Sequence, residues 1–112
     1  MDREKASAAT EAIRRLLHKY PFGYLPNPAA RQDAEREMMT IRENGPKSCE
    51  EVLLSLGGWL DILFVPEKHQ TYVQPDLPNA VGRVRAIQRH VISDLSRIDA
   101  ELKKMGWAAG ST

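Results

Sequence analysis

The feature that most constrains this chain is a regular apolar spacing in its C-terminal third. Apolar residues recur there at alternating steps of four and three residues, which is typical of a long α-helix with one narrow apolar seam. A helix from residue 77 to residue 105 is a rod about 43 Å long, so any shorter helices have to pack along it. The seam consists of Leu77, Val81, Val84, Val91, Leu95, Ile98, Leu102 and Met105, with the polar Gln88 in one seam position.

The length and composition bound the class of protein. A chain of 112 residues can build one hydrophobic core. Hydrophobic residues make up 42% of the chain and charged residues 28%, so we expect a folded globular protein. The sequence predicts a single helical domain over residues 1–107 and a flexible tail over residues 108–112, with the last helix starting near Asp76 or Asn79 and ending at Gly106.

Charge and cysteine content indicate the surroundings of the protein. The formal net charge of +1 does not favour nucleic acid or an anionic membrane as the partner of the whole surface. The single cysteine, Cys49, excludes an intrachain disulfide, and no apolar run is long enough to span a bilayer. We therefore expect a cytoplasmic protein that does not enter a membrane.

Two helices are predicted before the first Gly-Pro pair. The first runs from Asp2 to Tyr20 and ends at Pro21. The second begins at Asn27-Pro28, where a side-chain acceptor precedes a residue without an N–H group, and it ends near Glu43. Its thin apolar stripe predicts the most weakly held helix of the domain, and the stripe consists of Ala30, Ala34, Met38 and Ile41.

A third helix follows Ser48, which with Glu51 has the spacing of a capping box. Apolar residues surround this helix on nearly every side, so we expect it to be the innermost one. Gly57 and Gly58 lie in its middle, and each glycine lowers the stability of a helix by about 1 kcal/mol relative to alanine. Three features could explain the two glycines: a close neighbouring helix, a bend, or a ligand against the backbone. Three prolines predict an irregular loop over residues 65–78.

These elements predict an all-α fold, a four-helix up-down bundle with a long C-terminal helix. In that arrangement the first and third connections lie at the same end. The aromatic and apolar residues of the two connections then form one surface flanked by basic residues, which suits a protein partner. The alternative is that the rings fold inward and cap the bundle. The predicted partner-binding residues are Phe22, Tyr24, Leu25, Tyr72, Lys19, Arg83 and Arg85.

The seam of the last helix allows two interpretations. It predicts a homodimer with a coiled-coil interface, in which Gln88 sets the register. The same spacing is also typical of packing inside a four-helix bundle. The predicted oligomer interface consists of Val84, Val91, Leu95, Ile98 and Leu102.

Motifs for catalysis and for metal or cofactor binding are weak, and we predict none of these sites. His18, His69 and His90 are far apart in the sequence, and Cys49 has no identifiable histidine partner. A helix-turn-helix around residue 45 would direct Glu50 and a second carboxylate at phosphate, which argues against it.

The sequence therefore predicts a non-enzymatic protein–protein interaction module, an adaptor or regulator that self-associates through its long C-terminal helix. The alternative is a nucleic-acid-binding accessory protein that uses the basic faces of the first and last helices. The last helix has no acidic residue near its start, where its cations are Arg83, Arg85, Arg89 and His90. These cations predict either a solvated face or an anion-binding patch.

Overall fold

The computed structural model describes residues 2–19 and 27–110, with side chains as far as residue 105. This part of the chain is all-helical, as predicted. It contains five α-helices, with a single 3-10 turn, Lys47–Cys49, before the third. The helices are α1 (Arg3–Lys19), α2 (Pro28–Asn44), α3 (Glu50–Phe64), α4 (Pro66–Val73) and α5 (Ala80–Gly110).

The predicted start of α2 is confirmed. Asn27 caps the helix because its side-chain oxygen accepts a hydrogen bond from the Ala30 N–H group at 3.2 Å, and Pro28 is the first helical residue. The start of α5 agrees with the predicted start near Asn79, but its end differs from the prediction. This helix begins at Ala80 and continues past Gly106 to Gly110.

The predicted capping box before α3 is wrong. Cys49 is the cap residue of α3, and no side chain bonds to the helix there. The Ser48 hydroxyl instead donates to Oε2 of Glu101 on α5, at 2.9 Å. This hydrogen bond, helped by Lys104, holds the pKa of the Glu101 carboxyl below its usual value. Ser48 therefore joins two helices rather than capping one.

Neighbouring long helices run antiparallel. The Asp2 N–H group donates to the Asn44 carbonyl at 3.0 Å, which brings the start of α1 to the end of α2. Nε of Arg31, near the start of α2, donates to Asp61 near the end of α3 at 2.5 Å. The bond from Ser48 to Glu101 likewise joins the beginning of α3 to the later part of α5.

The seam of α5 forms part of the core of a single chain. All five residues predicted as an oligomer interface are buried by the other helices of the same chain: Val84, Val91, Leu95, Ile98 and Leu102. They are therefore not available to a second copy in this fold, and we correct the predicted interface on that ground. The buried face of α5 includes Ile87 rather than Gln88. Leu77 is exposed because it lies before α5, and Val81 is exposed in the first turn of the helix.

The thin apolar stripe of α2 is buried along its whole length. Ala30, Ala34 and Ile41 have no exposed surface, and Met38 is buried with them. Small side chains let the axes of neighbouring helices approach closely, so backbone atoms contribute to the contact. Ala30 and Ala34 are therefore core residues.

The irregular loop predicted over residues 65–78 is wrong, because α4 occupies most of it. Pro66 is the first residue of this helix, where a missing N–H group costs nothing. His69 and Val73 are buried, and Nδ1–H of His69 donates to the Ile62 carbonyl at 3.0 Å. The prediction of four helices is wrong for the same reason.

Helix α4 ends in a strained residue. Gln74 has a φ of 52°, the left-handed conformation that glycine adopts more easily than other residues. The guanidinium of Arg83 holds this end of the helix, since Nε donates to the Val73 carbonyl at 2.6 Å and Nη2 to the Gln74 carbonyl at 3.3 Å.

We predict that Gln74→Gly raises the free energy of unfolding by about 0.5 to 1 kcal/mol, because it removes the strain of the left-handed cap. Gln70→Gly is the matched control. Gln70 is exposed inside α4, so the same chemical change should lower the free energy by about 1 kcal/mol. Urea unfolding of both variants measures the difference, and a loss of stability in Gln74→Gly would contradict the prediction.

Candidate docking surface

The described residues form an open, mainly apolar groove between α3 and α4, with a volume of about 360 Å³. Helix α3 supplies its floor and one wall, and α4 supplies the other wall. We call it the α3–α4 groove, and its lining residues are Leu54, Ser55, Gly58, Trp59, Ile62, Lys68 and Tyr72.

Two large side chains of this groove are unusually exposed. Leu54 has 73% of its surface exposed and Tyr72 has 58%. Single exposed apolar residues are normal on a protein, but a contiguous set along a concave surface is typical of binding sites. The sequence position of Leu54 explains its exposure. It lies on the face of α3 opposite Leu56 and Leu60, which have no exposed surface.

An aromatic stack forms one side of the groove. The ring of Trp59 lies flat against the ring of His90 on α5, with ring centroids 4.2 Å apart and planes 6° apart. This contact fixes the indole and gives the groove a rigid flat wall. A fixed aromatic ring loses little conformational entropy when a partner covers it.

A polar contact joins one lining residue of the groove to α5. The hydroxyl of Ser55 donates to Oδ2 of Asp94 at 2.7 Å, and Oδ1 of the same carboxylate lies 3.9 Å from Nη1 of Arg97. Asp94 is buried, so these partners offset the loss of its hydration. Because Ser55 lines the groove, the contact connects this part of α3 to α5.

The predicted partner-binding residues are only partly brought together. Tyr72 lines the α3–α4 groove. The guanidinium of Arg83 is occupied with the end of α4, while Lys19 and Arg85 are exposed but do not line the groove. The other three predicted residues, Phe22, Tyr24 and Leu25, lie outside the described residues.

The residues that could take part in catalysis lie in three different environments. His69 is buried and bonded to the Ile62 carbonyl, and His90 is exposed against Trp59. Cys49 is buried at the other end of α3, where burial and the nearby Glu101 carboxylate raise the pKa of its thiol. A raised pKa disfavours the nucleophilic thiolate. Within residues 2–19 and 27–105 no three metal-ligating side chains cluster.

A second groove, between α1 and α5, has a volume of about 590 Å³ and a mixed charged lining. Arg3 and Lys103 are its cations, and Glu11 and Asp99 are its acids. Arg14 forms ion pairs with both acids. The charges are therefore largely balanced inside the chain, and this groove favours no ligand class.

Comparison with known proteins gives no relative from which a function can be transferred: no protein family, curated protein or solved structure matches the chain. Among the described helices, none has both the length and the apolar character required to cross a bilayer.

Most residues of the α3–α4 groove were not identified from the sequence. An apolar spacing on nearly every side of α3 does not distinguish Leu54, Trp59 and Ile62 from the residues of the core. One signal was available, since Leu54, Gly58 and Ile62 follow one another at steps of four and Ser55 lies beside them. That face of α3 is less apolar than the rest, which marks it as the outer face.

Proposed function

We propose that this protein is a non-enzymatic interaction module whose α3–α4 groove binds an amphipathic helix of a protein partner. The observation that carries the proposal is the apolar lining of this groove, in which the exposed Leu54 and Tyr72 lie together with the half-buried Trp59 and Ile62. Binding would remove these side chains from water, which contributes about 25 cal/mol for each Å² of apolar surface buried.

The shape of the groove favours a helix over an extended peptide. Its apolar residues follow the axis of α3 at steps of four, which matches the spacing of the apolar face of a second helix. A peptide that binds by strand addition would need the unpaired backbone groups of a strand edge, and the described part of the chain contains no strand.

The proposal takes the four long helices as an up-down bundle, with α4 inserted in the last connection. This arrangement is supported by the antiparallel contacts of α1 with α2, α2 with α3 and α3 with α5. It leaves the outer face of α3 uncovered except where α4 lies against its end. The protein then acts as an adaptor or regulator, because the groove holds a partner without carrying out chemistry on it.

The nucleic-acid alternative has less support. Arg14, Arg31 and Lys104 form ion pairs with acids of the same chain. Arg83 bonds to backbone carbonyls. Phosphate binding requires cations that are free to neutralise phosphates, and on the first and last helices Arg14 and Arg83 are already engaged, whereas the exposed pair of Lys104 is weak.

Site-specific photo-cross-linking tests the proposal. A benzophenone amino acid is placed at position 54 or 72, in the groove, and the protein is irradiated in an extract of its native cells. The matched control is position 92, since Ile92 is 50% exposed but does not line the groove. We expect discrete protein adducts from positions 54 and 72 alone. Equal adducts from position 92, or none from the groove, would contradict the proposal.

The same experiment needs a stability check. Tyr72→Ala should weaken capture of the partner and leave the melting temperature nearly unchanged, because the ring is 58% exposed and adds little to the core. A large fall in the melting temperature would mean that the ring caps the bundle instead of binding a partner.

A further inference from the structure

Gly58 lines the α3–α4 groove and faces open space there. A Cβ atom added at Gly58 would meet no atom of the described residues within 4 Å, and one added at Gly57 would make ordinary van der Waals contacts, 3.8 Å from Nη2 of Arg31 and 3.9 Å from the sulfur of Met38. A glycine inside a helix is less stable than an alanine in the same place. No neighbour among the described residues therefore requires either glycine, and Gly58 is the one that lines the open groove.

Leu54, Gly58 and Ile62 form a row along α3, which we call the ridge, and the ridge is symmetric about Gly58. Leu54 lies four residues before Gly58 and Ile62 four residues after it, all on one face of α3. If two copies of α3 cross antiparallel with a two-fold axis at Gly58, Leu54 of each copy lies beside Ile62 of the other. The absence of a side chain at the crossing point lets the two helices approach closely. The surface is thus complementary to itself, as a two-fold interface requires.

The charges at the two ends of the ridge agree with this arrangement. Glu51 is exposed on the same face of α3, one turn before Leu54, and Lys68 of α4 lines the groove beside Asp61, near the Ile62 end. A two-fold axis at Gly58 exchanges the ends, so Glu51 of each copy lies towards Lys68 of the other. Within its own chain Lys68 is 3.4 Å from Asp61. That exposed pair is weak and leaves the ammonium group able to meet a second carboxylate.

We infer that the occupant of the α3–α4 groove is α3 of a second copy of this chain, so that the protein forms a two-fold dimer crossing at Gly58. The inference rests on the proposed function, since it names the partner helix of the same groove. It also moves self-association from the buried seam of α5 to the exposed face of α3. The groove is small for a stable dimer, so we expect a dissociation constant that is micromolar or weaker.

Disulfide trapping tests the crossing point. G58C places two thiols at the two-fold axis, whereas G82C is the matched control, because Gly82 is also an exposed helical glycine with no atom within 4 Å of an added Cβ. Both variants keep the buried Cys49. Under mild oxidation we expect a covalent dimer from G58C at least about tenfold faster than from G82C. Equal rates would count against a crossing at Gly58.

Molar mass in solution provides the second measurement, in case an added thiol holds the helices apart. Sedimentation equilibrium of the wild type should show a mass rising from 12.6 kDa towards twice that value with concentration. L54D should weaken the association at least about tenfold, while I92D, an exposed apolar control on α5, should not.

Reversal of charge tests the predicted contact between Glu51 and Lys68. E51K and K68E should each weaken the association, and the double variant should restore it. A wild type that remains monomeric at about 1 mM would overturn the inference.

Failure of the inference can be distinguished from failure of the proposed function. If the photo-cross-linked adduct from position 54 has the mass of two copies of this chain, both stand. If the adduct contains a different protein and the pure chain is monomeric, the groove still binds a partner and the self-association is wrong. If position 54 gives no adduct and the chain is monomeric, both are wrong.

Discussion

Leu95→Ala should lower the free energy of unfolding by about 2 to 5 kcal/mol. Leu95 has no exposed surface and lies in the middle of the α5 seam, between Val91 and Ile98, which are also fully buried. Removing three carbons there loses the transfer free energy of the side chain and leaves a cavity that the surrounding helices fill only in part. Urea unfolding at about 1 μM protein, where weak association is absent, measures the loss.

The same substitution separates a core from an oligomer interface. Ile92→Ala is the control on the same helix, since Ile92 is half exposed and its truncation should change the free energy by roughly 0.5 kcal/mol or less. Because the seam is covered by helices of the same chain, the loss in Leu95→Ala should not depend on protein concentration. A loss that appears only at high concentration would restore the predicted interface along α5.

Ala34→Leu should lower the free energy of unfolding by about 1 to 3 kcal/mol. Ala34 has no exposed surface and lies on the buried stripe of α2 together with Ala30 and Met38. A larger side chain has no space there, so it must push α2 away from its neighbours or adopt an unfavourable rotamer. Thermal and urea unfolding of the variant measure the effect.

The control for this prediction is Ala29→Leu, one turn earlier on the exposed side of α2. It makes the same chemical change without overpacking, and we expect a change of roughly 0.5 kcal/mol or less. A stability of Ala34→Leu equal to that of Ala29→Leu would mean that α2 is held loosely, as its thin apolar stripe suggested from the sequence.

The spacing of apolar residues predicted which face of α5 is buried but not what covers it. A step of three and four residues is common to coiled-coil dimers and to helices inside a bundle, because both pack side chains in the same way. Only the positions of the other helices decide between them. They bury Val91, Leu95 and Ile98 within one chain.

The prolines around helix α4 are compatible with a helix as well as with a loop. Pro66 begins the helix and Pro75 follows its end, two positions where a proline costs the helix no hydrogen bond. The β-branched and aromatic residues before Gln74 have low helix propensity. Burial of His69 and Val73 against α3 outweighs that preference, and a local pattern of eight residues cannot predict such a contact.

The α3–α4 groove combines residues whose proximity depends on the register of three helices. Tyr72 was predicted to bind a partner, and it does line the groove. The stack of Trp59 on His90 joins α3 to α5, and nothing in the spacing of either helix indicates which residues lie opposite each other. The exposure of Leu54 was equally hidden, because an apolar helix shows its outer face only when its neighbours are placed.

Photo-cross-linking from position 54, compared with position 92, tests most directly whether the α3–α4 groove is a docking surface. Both positions carry exposed aliphatic side chains on helices, so they differ mainly in whether they lie in the groove. We expect irradiation to give one discrete adduct from position 54 and none from position 92. Adducts of equal yield from the two positions, or no adduct from position 54, would contradict the proposed docking surface.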